Sequence, residues 1–257
     1  MLSSDAAVRA IHAAISRGAP LYNSGSIAAC ASLYLDTAKS LCAGGALTEL
    51  SATELSSLIE TPPVDANARA WALRHAFDRF LGDAVFSPRL EAPLPAGFPG
   101  PGRAGRIEEK LYPAFRAAVA PAGGGAFGAL FRHITERGVA MTAPVVSRLS
   151  GAGPPLDMAF CYEAPAQGAT GAGAGGVTVV DTPPMRVLSM GVRGGGGGGG
   201  GGGGEPLQSL ALARRALEAR LALGDLESTG EWRTLGWNSP MVPAGERFWE
   251  LQVRLRG

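Results

Sequence analysis

The chain has 257 residues and a formal net charge of +1, with 46% hydrophobic and 18% charged residues. A chain of this length can bury a core without disulfide staples. Its balanced charge, spread over both halves, excludes the basic patch that nucleic acid or an anionic membrane surface requires.

Helical periodicity runs through the first 86 residues. Apolar residues recur at helical spacing in four segments, 8–15, 27–41, 51–59 and 70–81. Short amphipathic helices cannot each bury an apolar face alone. The sequence therefore predicts that residues 1–86 form a small helical bundle.

A change in composition follows. Residues 87–105 contain five prolines and four glycines, which favours an extended chain without a core of its own. We interpret this segment as the linker between the helical bundle and a second domain at 106–257.

The second domain alternates between strand and helix patterns. The final strand pattern, RFWELQVRL, alternates cleanly. On one face it has Phe248, Glu250, Gln252 and Arg254, and on the other Trp249, Leu251, Val253 and Leu255. The order of elements is strand, helix and strands, and then the same again. The sequence predicts an α+β fold, a distorted antiparallel β-barrel or sheet with two helices and two similar halves. The predicted helices are AFGALFRHITERG, with Gly138 at its C-terminal cap, and PLQSLALARRALEARLAL. The predicted strands include VAMTAPVVSRL, LDMAFCYE and VTVVDTPPMRVLSMGVR.

A run of eleven glycines occupies residues 194–204. A G-x-G-x-x-G match inside such a run follows from composition alone, and no ribose-binding acid follows at the expected distance. We interpret the run as a disordered loop and not as a nucleotide site.

Residues that could carry catalysis are sparse. No G-x-S-x-G, S-x-x-K or H-E-x-x-H motif occurs, and the three cysteines form no C-x-x-C pair. The cysteines are expected to be buried thiols in a reducing compartment. His133 remains as a candidate axial ligand of haem iron, with an ordinary helix position as its alternative. The sequence predicts no enzyme.

One set of motifs is recognisable in the second domain. VAMTAPVV at 139–146, preceded by LYPAFRAAV and AFGALFRHI, resembles the SOUL/haem-binding-protein family. The ending also fits, because WRTLGWNSPMVPAGERFWELQVRL is similar to the family's aromatic-Asn-x-Pro turn, proline-containing loop and last strand. The resemblance covers about 150 residues, from 106 to the end.

The resemblance implies a non-catalytic carrier or buffer that holds haem or another porphyrin, without covalent attachment, in an apolar groove. A porphyrin is a large flat apolar disc with carboxylates, so burial of its ring supplies affinity. His133 is the only proposed metal ligand. The candidate ligand contacts lie on the first helix of the domain and on a later loop: Phe127, Leu130, Phe131, His133, Ile134, Arg137, Met241 and Val242.

A second interpretation keeps the fold as a protein-interaction scaffold, without physiological haem binding, and gives the N-terminal helices a partner protein. Apolar runs are shorter than the roughly 20 residues of a membrane span, and no secretory signal is visible. We therefore expect a soluble intracellular protein. High alanine and glycine content indicates a GC-rich genome, algal or bacterial, so the expected compartment is the cytoplasm, or the plastid of an alga.

Overall fold

The computed structural model describes residues 4–151, 153–194 and 207–257. The chain divides into two compact units, Met1–Phe86 and Ser87–Gly257. The predicted disordered loop at 194–204 lies outside the described residues, except for Gly194.

The first unit contains the four predicted helices. Thr48 and Asp65 cap the third and fourth helices, because each accepts a hydrogen bond from a backbone N–H three residues later. In the core, the rings of Tyr34 and Phe77 meet edge to face, with centroids 5.7 Å apart. The helices are α1 (Ser4–Asn23), α2 (Ile27–Gly44), α3 (Glu49–Glu60) and α4 (Ala66–Ala84).

The second unit is built on a nine-stranded antiparallel sheet with two helices, so the chain has the α+β class that the sequence predicts. The sheet is open, with the order β1-β7-β9-β8-β3-β4-β2-β6-β5. The strands are β1 (Ile107–Tyr112), β2 (Phe115–Pro121), β3 (Val145–Leu149), β4 (Asp157–Cys161), β5 (Gly171–Ala172), β6 (Thr178–Thr182), β7 (Met185–Arg193), β8 (Ser228–Gly236) and β9 (Phe248–Leu255).

The sheet has two similar halves, as the order of sequence elements predicts. In the first half, β2 is followed by helix α5 (Ala126–Glu136), β3 and β4, which lie in the order β3-β4-β2. In the second half, β7 is followed by α6 (Leu207–Leu221), β8 and β9, which lie in the order β8-β9-β7. The antiparallel β3–β8 pair joins the two halves.

Residues 87–105 are extended, but they pack against the sheet of the second unit. Phe98 is buried, and its ring meets those of Tyr112 and Phe115 edge to face, with centroids 5.0 Å away in both cases. The backbone N–H of Gly102 donates to Glu250 Oε1 at 2.6 Å. The structure therefore groups this proline- and glycine-rich segment with the second unit, where it covers part of the sheet.

Among the described residues, no helix is both long enough and apolar enough to cross a membrane.

Candidate functional site

Helix α5 carries most of the residues proposed from the sequence, and the structure divides them between two environments. Leu130 and Ile134 are buried against β2 and β4 and belong to the core. Phe127 and Phe131 are about half exposed, and their rings stack with centroids 6.2 Å apart. The apolar stripe therefore has one edge in the core and one at the surface, and its buried part is filled by the sheet.

His133 is on the inner side of α5 and is only 4% exposed, not half exposed as an ordinary helix position would be. Its Nε2 lies 3.0 Å from the hydroxyl of Tyr162. Gly173 lies directly against the imidazole, since an added Cβ there would be 3.0 Å from Cε1. Burial lowers the pKa of His133, and the positive charge of Arg137 lowers it further. A neutral imidazole with a protein partner is thus favoured at neutral pH.

No group of His, Cys, Asp and Glu side chains among the described residues is arranged to hold a metal ion. A small cavity of about 50 Å³ lies beside His133 and is lined by Arg132, Glu136 and Arg137 among others. Its volume is close to that of one or two water molecules, so it does not admit a porphyrin.

Arg137, Met241 and Val242 complete the set proposed from the sequence. Arg137 and Met241 are exposed, whereas Val242 is buried. Met241 and Val242 lie in the β8–β9 connection of the second half, while α5 packs on strands of the first half. Of the eight residues, His133 and Arg137 line the small cavity beside α5.

A larger cavity lies on the other face of the sheet. Along β2, Phe115, Ala117 and Val119 line this cavity, whereas the alternate residues Ala118 and Ala120 join the α5 core. Successive side chains of a strand point to opposite faces, so the cavity lies on the helix-free side. Its volume is about 760 Å³, which is within the range of about 300–1,000 Å³ typical of small-molecule sites.

The walls of this cavity, hereafter the sheet cavity, are mainly apolar and come from both halves. Small side chains line its floor where three strands pair, because Ala159 lies opposite Val146 on one side and Val119 on the other. The remaining apolar walls include Phe115, Ala117, Val180 and Met185.

Charged side chains also line the sheet cavity, and most of them are paired. Asp157 is buried and accepts hydrogen bonds from the guanidinium of Arg148, including one from Nε at 2.7 Å. At the other wall, Arg254 Nη1 lies 3.0 Å from Glu231 Oε2. Each of these two ion pairs is electrically neutral. Among the residues that line the sheet cavity, Arg233 is the remaining charged side chain.

Arg233 connects the sheet cavity to a buried polar network. Its Nε donates to Gln252 Oε1 at 2.9 Å, and its guanidinium lies 4.5 Å from the centre of the Tyr112 ring. Gln252 in turn donates to Tyr112 Oη at 2.9 Å and to Glu250 Oε2 at 2.8 Å. Lys110 Nζ lies 2.6 Å from Glu250 Oε1. Burial lowers the pKa of Arg233 and, together with Glu250, raises that of Tyr112.

Neither the sheet cavity nor this network was predicted from the sequence. The alternation along β2 and β9 was a usable signal, because alternating residues must serve two different faces. It did not indicate that the face carrying Glu250 and Gln252 is also buried, with both residues 0% exposed.

The burial of His133 gives a testable pH dependence. The unfolded chain takes up a proton near its ordinary pKa of about 6.5, whereas the folded protein resists protonation. The neutral imidazole therefore makes its full contribution to the free energy of unfolding above the pKa of the unfolded chain. This contribution is lost as the pH falls from that value towards the lower pKa of the folded protein. We expect the urea concentration at the unfolding midpoint of the second unit to decrease when the pH is lowered from about 7.5 to about 5.5.

Tryptophan fluorescence in a Trp71→Phe background measures this effect, since Trp232, Trp237 and Trp249 then report on the second unit alone. His133→Gln keeps a hydrogen-bonding side chain for Tyr162 and removes the titration. The pH-dependent decrease of the urea midpoint should disappear in this variant. A decrease of unchanged size in His133→Gln would contradict the assignment to His133.

No protein-family model and no curated protein matches the sequence. Similar solved structures include the C-terminal domain of EcmrR, with 15% identity over 59% of this chain and 97% of that chain, at a TM-score of 0.41. A hydrolase from Listeria innocua is 10% identical over 61% and 94% of the two chains, at 0.42. An uncharacterized conserved protein from Listeria innocua is 9% identical over the same shares, at 0.43. Likenesses this weak carry no inference about ligand, reaction or partner.

Proposed function

We propose that the second unit is a non-catalytic binding module for haem or another tetrapyrrole, which it carries or buffers. The observation that carries this proposal is the sheet cavity, which combines about 760 Å³ of space with apolar walls and arginines. Burial of a flat apolar ring against such walls supplies affinity, and arginines meet its carboxylates. The bound tetrapyrrole is cargo, and the protein's part is to bury the ring and hold its acid groups.

The motif VAMTAPVV and the order of strands and helices support this proposal, because they resemble the SOUL/haem-binding-protein family. The location differs from the one proposed from sequence. The ring is placed in the sheet cavity and not beside α5, since Leu130 and Ile134 are already covered by the sheet.

A non-catalytic role is supported by the thiol and carboxylate groups near the sheet cavity, which are poorly suited to act as nucleophiles or bases. Burial raises the pKa of the Cys161 thiol to about 12, which disfavours the nucleophilic thiolate. Asp157 and Glu231 are both engaged by arginines, which reduces their value as general bases. A carrier role needs none of these groups to react.

Iron ligation is not required by this geometry. His133 is on the α5 side of the sheet, with its Nε2 beside Tyr162, and it does not line the sheet cavity. We therefore expect hemin and metal-free protoporphyrin IX to bind with affinities within a few-fold of each other.

A titration of the full chain with hemin tests the proposal. We expect a saturable shift of the Soret band at micromolar hemin, with one ligand per chain, and the same spectrum for His133→Ala. Metal-free protoporphyrin IX, followed by its own absorbance, should saturate at the same ratio. A linear, unsaturable response to both compounds would exclude the carrier role.

The alternative function is a protein-interaction scaffold. The exposed stack of Phe127 and Phe131 favours it, because adjacent exposed aromatic rings are typical of interaction surfaces. In the first unit, Trp71 is also 47% exposed and is the aromatic residue that a partner of the helical bundle would cover. Lack of porphyrin binding would shift the assignment to this function.

A further inference from the structure

Arg233 is a buried cation whose hydrogen bonds are incomplete. It lies on β8, between Arg148 of β3 and Gln252 of β9 in the strand register. The residue is only 9% exposed and lines the sheet cavity. Its Nη2 is buried and has no hydrogen-bond partner. A buried guanidinium nitrogen without an acceptor is costly unless something else fills that role.

The surrounding charges leave Arg233 uncompensated. Glu250 is the buried carboxylate of the network, and Lys110 already pairs with it at 2.6 Å. Among the described residues, Arg233 makes no salt bridge of its own. Arginine remains charged even when burial lowers its pKa. The buried network therefore carries one positive charge that an anion in the sheet cavity would neutralise.

The protein also fixes the orientation of this guanidinium. Gln252 accepts from Nε on one side, and the Tyr112 ring packs against the guanidinium. These contacts hold the plane of the group, and Nη2 stays without an acceptor in this arrangement. Such preorganisation is typical of arginines that recognise carboxylates.

We propose that the guanidinium of Arg233 is the anion-recognition group of the sheet cavity, and that the ligand class is an apolar organic carboxylate. The carboxylate lies at Arg233, and the apolar body lies against Val146, Ala159 and their neighbours. This inference rests on the proposed function, for which it names the ligand group that the protein recognises. The same chemistry is offered by a tetrapyrrole propionate and by a smaller aromatic acid, and the experiment separates the two.

The test compares protoporphyrin IX with its dimethyl ester, which keeps the ring and removes both negative charges. The full chain is titrated with each by porphyrin fluorescence. We expect the acid to bind about 10- to 100-fold more tightly than the ester, the range for one charge-assisted hydrogen bond in a buried site. Arg233→Met should bring this ratio to within about twofold of one while ester binding persists.

Arg254→Met is the matched control, because Arg254 lines the same cavity but already pairs with Glu231. It should retain the acid preference. Equal affinity of the wild-type chain for acid and ester, or an acid preference that survives in Arg233→Met, overturns the inference and leaves the proposed function standing. If Arg233→Met does not fold, Arg233→Gln takes its place, and the same loss of acid preference is expected.

A second probe pair separates the two proposals if neither porphyrin binds. That result excludes the tetrapyrrole function. The chain is then titrated with 2-naphthoate and 2-naphthamide, which share a ring system and differ in charge. Selective binding of the naphthoate that Arg233→Met abolishes supports the anion site for a smaller acid. Equal binding of the two compounds, or binding of neither, overturns it.

Discussion

Replacing Glu250 by alanine is expected to lower the free energy of unfolding of the second unit by about 3–5 kcal/mol, the usual cost of removing one partner of a buried ion pair. The carboxylate of Glu250 is fully buried. Its oxygens accept from Lys110, the backbone of Gly102, Ser189 and Gln252, at distances between 2.6 and 3.0 Å. Without it, two cations stay buried with no carboxylate to balance them.

Urea unfolding followed by tryptophan fluorescence, in the Trp71→Phe background, measures the loss. Glu231→Ala is the matched control, since Glu231 also pairs with an arginine but its side chain is 65% exposed. Exposed pairs contribute at most about 1 kcal/mol. If Glu250→Ala unfolds at the same urea concentration as Glu231→Ala, the buried network does not hold the sheet and the segment 87–105 together.

The network also marks the limit of what the sequence could predict. The alternation of β9 correctly predicts a strand, and such alternation usually places polar residues in solvent. In the structure, Glu250 and Gln252 are as buried as Leu251 and Val253 on the other face. The reason is a covering segment 148 residues earlier in the chain, whose Gly102 N–H binds Glu250. No local pattern carries information about a contact at that separation.

The same limit applies to the candidate site. The apolar stripe of α5 was visible in the sequence, and Leu130 and Ile134 are indeed on its buried side. Periodicity shows that a helix face needs a covering, but a ligand and a sheet satisfy that need equally. Some residues of the sheet cavity, such as Ala117 and Ala159, have small side chains and lie in strands. In the sequence they cannot be distinguished from ordinary core residues. The cavity arises only when the register of five strands brings them together.

The substitution Ala159→Phe distinguishes the two possible ligand positions. Ala159 is at the centre of the cavity floor, between Val146 and Val119 in the register. A phenyl ring at this position occupies space that the tetrapyrrole needs, while phenylalanine is well accepted in strands. We expect porphyrin affinity to fall about tenfold or more, which corresponds to about 1.4 kcal/mol or more of binding free energy.

Phe131→Ser is the matched control on the opposite face of the sheet. Phe131 is 51% exposed on α5 and belongs to the groove proposed from the sequence. If the ligand lies in the sheet cavity, Phe131→Ser changes the dissociation constant by less than about twofold, because it removes no contact there. The reverse result, with weak binding by Phe131→Ser and unchanged binding by Ala159→Phe, would place the porphyrin beside α5. The pair of variants, measured by the same titration, therefore assigns the ligand to one face of the sheet.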